Sequence, residues 1–257
     1  MSALYSETIQ GITFITFNNP PANALSQGVL QELSQLLKKY EEIEETRVII
    51  LKGEGRFFCA GADIKEFTSL QQSTQYENLA KKGQNLFEYI ENYPKPIIAM
   101  IHGTALGGGL ELAMSCHMRF VTHDAKLGLP ELQLGIIPGF AGTQRLPRYV
   151  GAAKACEMML TSRPIKGTEA VTLGLANASY HEEELHSKVT AIAEVIAKKS
   201  PSSVKATLEL LQYTKTSRYY EGVEKEAQLF GSVFNTEDAK EGVTAFIEKR
   251  EPKFVGK

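Results

Sequence analysis

The chain has few cysteines, little charge imbalance and no long apolar run, and each of these absences removes a class of protein. Its only cysteines among 257 residues are Cys59, Cys116 and Cys156. An odd number at wide spacing fits neither a disulfide framework nor a zinc site. Reduced thiols in a cytoplasm are expected, with Cys59 and Cys116 packed in the interior. No stretch approaches the ~20 apolar residues of a membrane-spanning helix. The opening MSALYSETIQG has neither the basic start nor the apolar run of a secretory signal. The formal net charge is −2 with both signs mixed along the chain, so no dedicated nucleic-acid or membrane surface is expected. A local basic patch for phosphates stays open, because net charge does not describe one pocket. No repeat or low-complexity segment stands out. What remains is globular material, 43% hydrophobic and 23% charged, enough for a sizeable core in one or two domains.

The first half alternates strand and helix signals. Ser6–Gln10 and Ile12–Phe17 alternate in polarity around Gln10-Gly11, which predicts a hairpin. Ser26 is placed as a helix N-cap before Val29, Leu30, Leu33, Leu36, Leu37, Tyr40 and Ile43, which recur at helical spacing. Val48–Leu51, Pro96–Ile101 and Phe120–Thr122 are short apolar strands, and a helix is predicted over Thr74–Asn92, ended by Tyr93-Pro94. This alternation implies an α/β layered fold with mostly parallel strands. After about Gly151 the signals are helical: Ala152–Leu160, Thr168–Leu173, Glu183–Lys199, Ser202–Tyr213, Tyr219–Phe234 and Glu237–Glu248. Pro201 suits a helix start, and Thr236 precedes acidic residues that complement a helix dipole. The division expected is a core over 1–200 carrying the active site and a helical region over 201–257.

The densest chemical signal is Ile101-His102-Gly103-Thr104-Ala105-Leu106-Gly107-Gly108-Gly109-Leu110-Glu111-Leu112-Ala113. A strand ends, glycines follow, and a helix begins. Glycine lets backbone approach a ligand, and free amides at a helix start attract negative charge. The glycines alone fit a packing turn equally well. A phosphate-binding P-loop needs Lys-Ser or Lys-Thr after the last glycine, whereas Leu110-Glu111 follow here. The dinucleotide fingerprint needs a different glycine spacing, and Glu111 would repel a pyrophosphate. Amides beside a carboxylate suit a developing oxyanion with a proton-transfer group next to it. Two further segments are weaker alone. Phe57-Phe58-Cys59-Ala60-Gly61-Ala62-Asp63-Ile64-Lys65-Glu66 places small residues after a strand, which is commonly structural. Leu129-Pro130-Glu131-Leu132, followed by Gly135-Ile136-Ile137-Pro138-Gly139, sets a carboxylate in an apolar stretch. A capped surface turn is the competing reading.

Together these segments resemble the crotonase (enoyl-CoA hydratase/isomerase) family across almost the whole chain. The most specific stretches are CAGADIKE at Cys59–Glu66, ALGGGLELA at Ala105–Ala113 and PELQLGIIPGFAGTQRLPR at Pro130–Arg148, with EGVTAFIEKR at Glu241–Arg250 like the family's closing helix. The resemblance implies a spiral of β-β-α turns with a helical C-terminal trimerisation region, and a homotrimer or a hexamer made of two trimers. It implies Ala62 and Gly108 as oxyanion donors to a thioester carbonyl, and Glu111 and Glu131 as the catalytic pair. Having both glutamates favours hydration of a 2-enoyl-CoA over a double-bond shift. Coenzyme A is then part of the substrate, and no metal or separate cofactor is needed. Ala60, Ala62, Asp63, Ile64, Lys65 and Gly108 are implied in substrate and CoA binding, with Phe246 and Lys249 from the closing helix. Solvated-face roles are the alternative for both lysines. His102 and His117, nearest the glycine turn, are expected in core or surface roles.

Two departures from the family pattern stand out. The turn Asn18-Asn19-Pro20-Pro21-Ala22-Asn23-Ala24-Leu25 has no basic residue to help hold CoA, and Phe140 stands where Gly or Ala is common. The competing functions are a methylglutaconyl-CoA hydratase, a double-bond isomerase and, from another class, an RNA-binding or scaffold relative. The net charge and the lack of a basic, aromatic-interleaved patch argue against RNA.

Overall fold

The computed structural model describes residues 2–63, 66, 73–214 and 236–256. The hairpin forms as expected, with β1 (Leu4–Ile9) antiparallel to β2 (Ile12–Phe17). Ser26 caps α1 (Gln27–Glu42), its hydroxyl accepting from the Val29 amide at 3.2 Å. The apolar spacing buries Val29, Leu30, Leu33, Leu37 and Tyr40 on one face of that helix.

Thereafter the chain winds as a spiral between two sheets. β3 (Val48–Gly53) leads to β4 (Phe57–Cys59) and α2 (Ser73–Glu91). β5 (Ile97–Ile101) leads to β6 (Thr104–Leu106) and α3 (Gly108–Ser115). β7 (Met118–Thr122) leads to β8 (Lys126–Gly128), a 3₁₀ turn at Glu131–Leu134 and α4 (Gly142–Thr161). Each turn of the spiral lays one strand in each sheet. The chain continues through β9 (Ile165–Lys166), α5 (Gly167–Thr172) and β10 (Ala178–Tyr180) to α6 (Glu182–Ala197), α7 (Pro201–Tyr213) and, beyond the gap, α8 (Glu237–Glu248). The larger sheet runs β1-β2-β3-β5-β7-β10 and the smaller β4-β6-β8-β9. Pairing is parallel except for β1 with β2 and β8 with β9.

The continuous apolar runs of β3 and β5 have a physical cause: both faces of the larger sheet are covered. Val48, Ile50, Ile98 and Met100 pack with Leu185, Val189 and Ala193 of α6. Their alternates Ile49, Leu51, Ile97, Ala99 and Ile101 join the main core with α1 and α2. Thr236 accepts from the Ala239 amide at the start of α8, as its position suggested. The expected helix over Tyr219–Phe234 lies outside the described residues.

The helix expected over Ala152–Leu160 forms, and a further helical stretch from Gly142 precedes it across non-helical backbone at Gly151 (φ 77°, ψ 159°). Gly142, Pro147 and Gly151 hide that first stretch from a propensity reading. The smaller sheet is implied by the β-β-α resemblance alone, and no residue pattern marks it. Its three parallel strands are each only three residues long, too short to show a period of two. Among the described residues no helix is long and apolar enough to cross a membrane.

Candidate active site

Because β4, β6 and β8 are adjacent and parallel, the loops leaving their C-terminal ends emerge side by side. These loops carry Ala60-Gly61-Ala62, Gly107-Gly108 and Pro130-Glu131. The Gly107 amide donates to the Gly128 carbonyl at 2.9 Å, tying the second loop to the third. The first is held by Leu25, whose amide donates to Gly61 O (2.8 Å) and whose carbonyl accepts from the Asp63 amide (3.1 Å). That bridge uses the groups on either side of the Ala62 amide. Gly108 is the first residue of α3, where a helix amide has no internal partner. Neither the Ala62 nor the Gly108 amide donates to another described residue. They are neighbours: a Cβ placed on Gly108 would lie 3.3 Å from Ala62 N, and one on Gly61 would lie 3.5 Å from Gly108 N.

The glycine turn is needed for this approach. Gly107 has φ 51° and ψ −128°, open to glycine and costly to other residues. A Cβ on Gly109 would sit 2.1 Å from the Cys59 carbonyl oxygen. The start of α3 is therefore pressed directly onto the end of β4, which brings the two amides together.

One helical turn on, Glu111 is buried with 1% of its surface exposed. Its Oε1 accepts from the Phe140 amide at 2.8 Å and the Gly142 amide at 2.7 Å. Burial pushes its carboxyl up to about 7, against the pull of those two amides; the Glu131 charge adds to the rise and Arg145 opposes it. The folded state holds the Glu111 proton more tightly than the unfolded chain does. The stabilising contribution is complete below the ordinary carboxylate range and is lost as pH rises through about 7.

Glu131 opens the 3₁₀ turn and is half-buried, closer to a positioned carboxylate than to a capped surface turn. Its Oε2 is buried with no hydrogen-bond partner among the described residues. Its Oε1 would lie 3.0 Å from a Cβ on Gly107, so the carboxylate reaches back over the glycine turn. Burial raises its pKa as well. A buried polar atom without a partner is an expensive arrangement, and one suited to receiving a ligand or a water.

The loop 139–142 supplies both amides to Glu111, with Ala141 in the left-handed region at φ 69°. It is clamped from behind. Arg145, itself buried, donates through Nη1 to the Phe140 carbonyl at 2.8 Å and pairs with Glu91 at 3.1 Å, while Arg148 takes the other oxygen of Glu91 at 3.1 Å. These partners were missed in the sequence. The signal, an arginine pair following a Gly-Phe-Ala-Gly turn, names no acceptor, and Glu91 lies 54 residues from Arg145.

Of the residues singled out in the sequence, the structure brings together Ala62, Gly108, Glu111 and Glu131, with Ala60 and Asp63 on the same loop as Ala62. Ile64 and Lys65 lie outside the described residues, as does the side chain of Phe246. Lys249 is exposed just past α8 with φ 55°, and no described contact joins it to this site. His102 meets the Gly55 carbonyl at 2.8 Å and His117 accepts from the Ile97 amide at 2.9 Å, both structural roles. Cys59 and Cys116 are buried, and burial pushes each thiol up to about 12, far from a reactive thiolate. Cys156 is exposed.

A two-sheet spiral whose strand ends hold two amides beside two shielded carboxylates is the crotonase fold. The enoyl-CoA hydratase/isomerase family model matches residues 7–257, and the chain belongs to that family. It is 55% identical, over the full length of both chains, to a Bacillus subtilis protein named "Probable enoyl-CoA hydratase". It is 38% identical to the "Short-chain-enoyl-CoA hydratase" of Clostridium acetobutylicum, covering 93% of this chain and 92% of that one. The crystal structure of an enoyl-CoA hydratase from Bacillus anthracis superposes with a TM-score of 0.95 at 37% identity, covering both chains completely.

Proposed function

We propose that the protein adds water across the 2,3 double bond of a 2-enoyl-CoA thioester, giving a 3-hydroxyacyl-CoA in acyl-CoA catabolism. The observation that carries this reading is the placement of two burial-shifted carboxylates, Glu111 and Glu131, around one pair of adjacent backbone amides. The Ala62 and Gly108 amides receive the thioester oxygen. As the oxygen of water bonds to C3, the π electrons of the double bond shift toward the thioester carbonyl oxygen, and the fixed amides stabilise the enolate. The second carboxyl returns a proton to C2. One member of the pair takes the proton of water while the other gives one up, and the two titrate as a unit. A double-bond shift needs only one such group, so retention of both supports hydration.

In this reading the CoA portion follows the loop Ala60, Ala62, Asp63, Ile64 and Lys65. Phe246 and Lys249 of the closing segment contact CoA from the same or a neighbouring subunit. Exposed apolar side chains such as Ile137 (72% exposed) and Leu160 (66%) suit burial between copies, and the reading includes a homotrimer, paired into hexamers. The test is direct. Purified protein is expected to remove the enoyl-thioester absorbance of crotonyl-CoA. Failure to do so with straight-chain, long-chain and branched acidic enoyl-CoA esters alike would reject the hydratase reading.

A further inference from the structure

We propose that the Phe140 side chain is the specificity-determining wall of the acyl pocket and confines the enzyme to short-chain 2-enoyl thioesters. This deepens the hydratase reading above and rests on it. With the thioester oxygen on the Ala62 and Gly108 amides, C2 and C3 must lie between those amides and the glutamates. In this proposal the acyl tail leaves past Gly108 and the loop that feeds amides to Glu111. Phe140 belongs to that loop, and its ring carbons lie 3.2 Å from where a Cβ on Gly108 would be. The ring therefore stands directly beside the oxyanion donor.

The wall has no room to withdraw. On the side of α2 the ring packs so closely on Gly83 that a Cβ there would fall 2.3 Å from it. Glycine inside a helix is otherwise unfavourable, and the ring accounts for its presence. Phe87 of the same helix meets the ring edge-on at 5.3 Å between centroids. The backbone of Phe140 is fixed at both ends, its amide on Glu111 and its carbonyl on Arg145. Only 4% of the residue is exposed. A long acyl chain would have to displace a residue that also holds a catalytic carboxylate, so lengthening the chain in this direction impairs turnover as well as binding.

The test compares crotonyl-CoA with 2-decenoyl-CoA for wild type, Phe140→Leu and Phe140→Ala, reading kcat/KM for each. It adds calorimetric binding of butyryl-CoA and decanoyl-CoA. Wild type should favour the short substrate. The decenoyl-to-crotonyl ratio should rise roughly tenfold or more in Phe140→Ala and less in Phe140→Leu, with decanoyl-CoA binding tighter in both. Phe140→Leu keeps an apolar side chain against Phe87 and decides the matter if the alanine variant does not fold. A wild type that handles decenoyl-CoA as well as crotonyl-CoA, or variants whose ratios do not move, would overturn the proposal. A wild type that binds butyryl-CoA yet hydrates neither substrate would instead refute the hydratase reading, and the binding ratios would still decide the role of Phe140.

Discussion

Glu131→Gln and Glu111→Gln are each expected to lower kcat for crotonyl-CoA hydration by roughly 10²–10⁴-fold, the usual worth of a positioned proton-transfer group. The exchange keeps side-chain size and removes only the ability to hold or release a proton. Glu111→Gln should bind its neighbours less well than Glu131→Gln, because Oε1 of Glu111 is held by two backbone amides and an amide side chain accepts more weakly than a carboxylate. Glu131, whose buried oxygen has no partner among the described residues, should tolerate the change structurally. The pH dependence gives a second readout. Burial holds Glu111 near about 7 and raises Glu131. Glu111 therefore changes its charge close to neutrality, and Glu131 above the ordinary carboxylate range. The wild-type rate should fall on the acid side once both are protonated and on the alkaline side once both are ionised. Each single glutamine variant should lose one limb of that profile. Variants with near-wild-type kcat and the full profile would show that the carboxylates are not the acid–base pair.

Gly109→Ala is the second large effect. Its new Cβ would meet the Cys59 carbonyl oxygen at 2.1 Å, and neither backbone can move away without separating β4 from α3. Overpacking costs about 1–3 kcal/mol in general, and a backbone-to-backbone clash should sit at the upper end or above. If the variant folds, the Ala62 and Gly108 amides are forced apart, and losing one oxyanion donor costs roughly 10²–10³-fold in kcat. Gly28→Ala is the control, since among the described residues a Cβ there meets the Ser26 hydroxyl alone, at 3.7 Å. Thermal unfolding should show a marked drop for Gly109→Ala and none for Gly28→Ala. Equal stability and rate for Gly109→Ala and wild type would contradict the close approach on which the site depends.

The contrast between these two sites shows what a sequence reading reaches. Glu111 is legible because it follows a strand end and three glycines within one helical turn, and the site forms from local geometry. Ser26, Val48–Leu51 and the α2 helix are legible for the same reason: capping and periodicity act over a few residues. The smaller sheet is not, because Phe57–Cys59, Thr104–Leu106 and Lys126–Gly128 owe their strand geometry to one another rather than to their own pattern. The clamp behind Glu111 is not legible either. Arg145 acquires its meaning from Glu91 and from a left-handed turn at Ala141, a contact distant in sequence and a backbone state that alanine rarely signals. The four residues brought together at the centre were each named from the sequence, while the packing that sets their properties was not.

The most direct measurement of the central claim is to incubate the protein with crotonyl-CoA in heavy-oxygen water and analyse the product by mass. The expected product is 3-hydroxybutyryl-CoA carrying the label in its new C3 hydroxyl. An unlabelled product with its double bond moved, or no product, would contradict that claim.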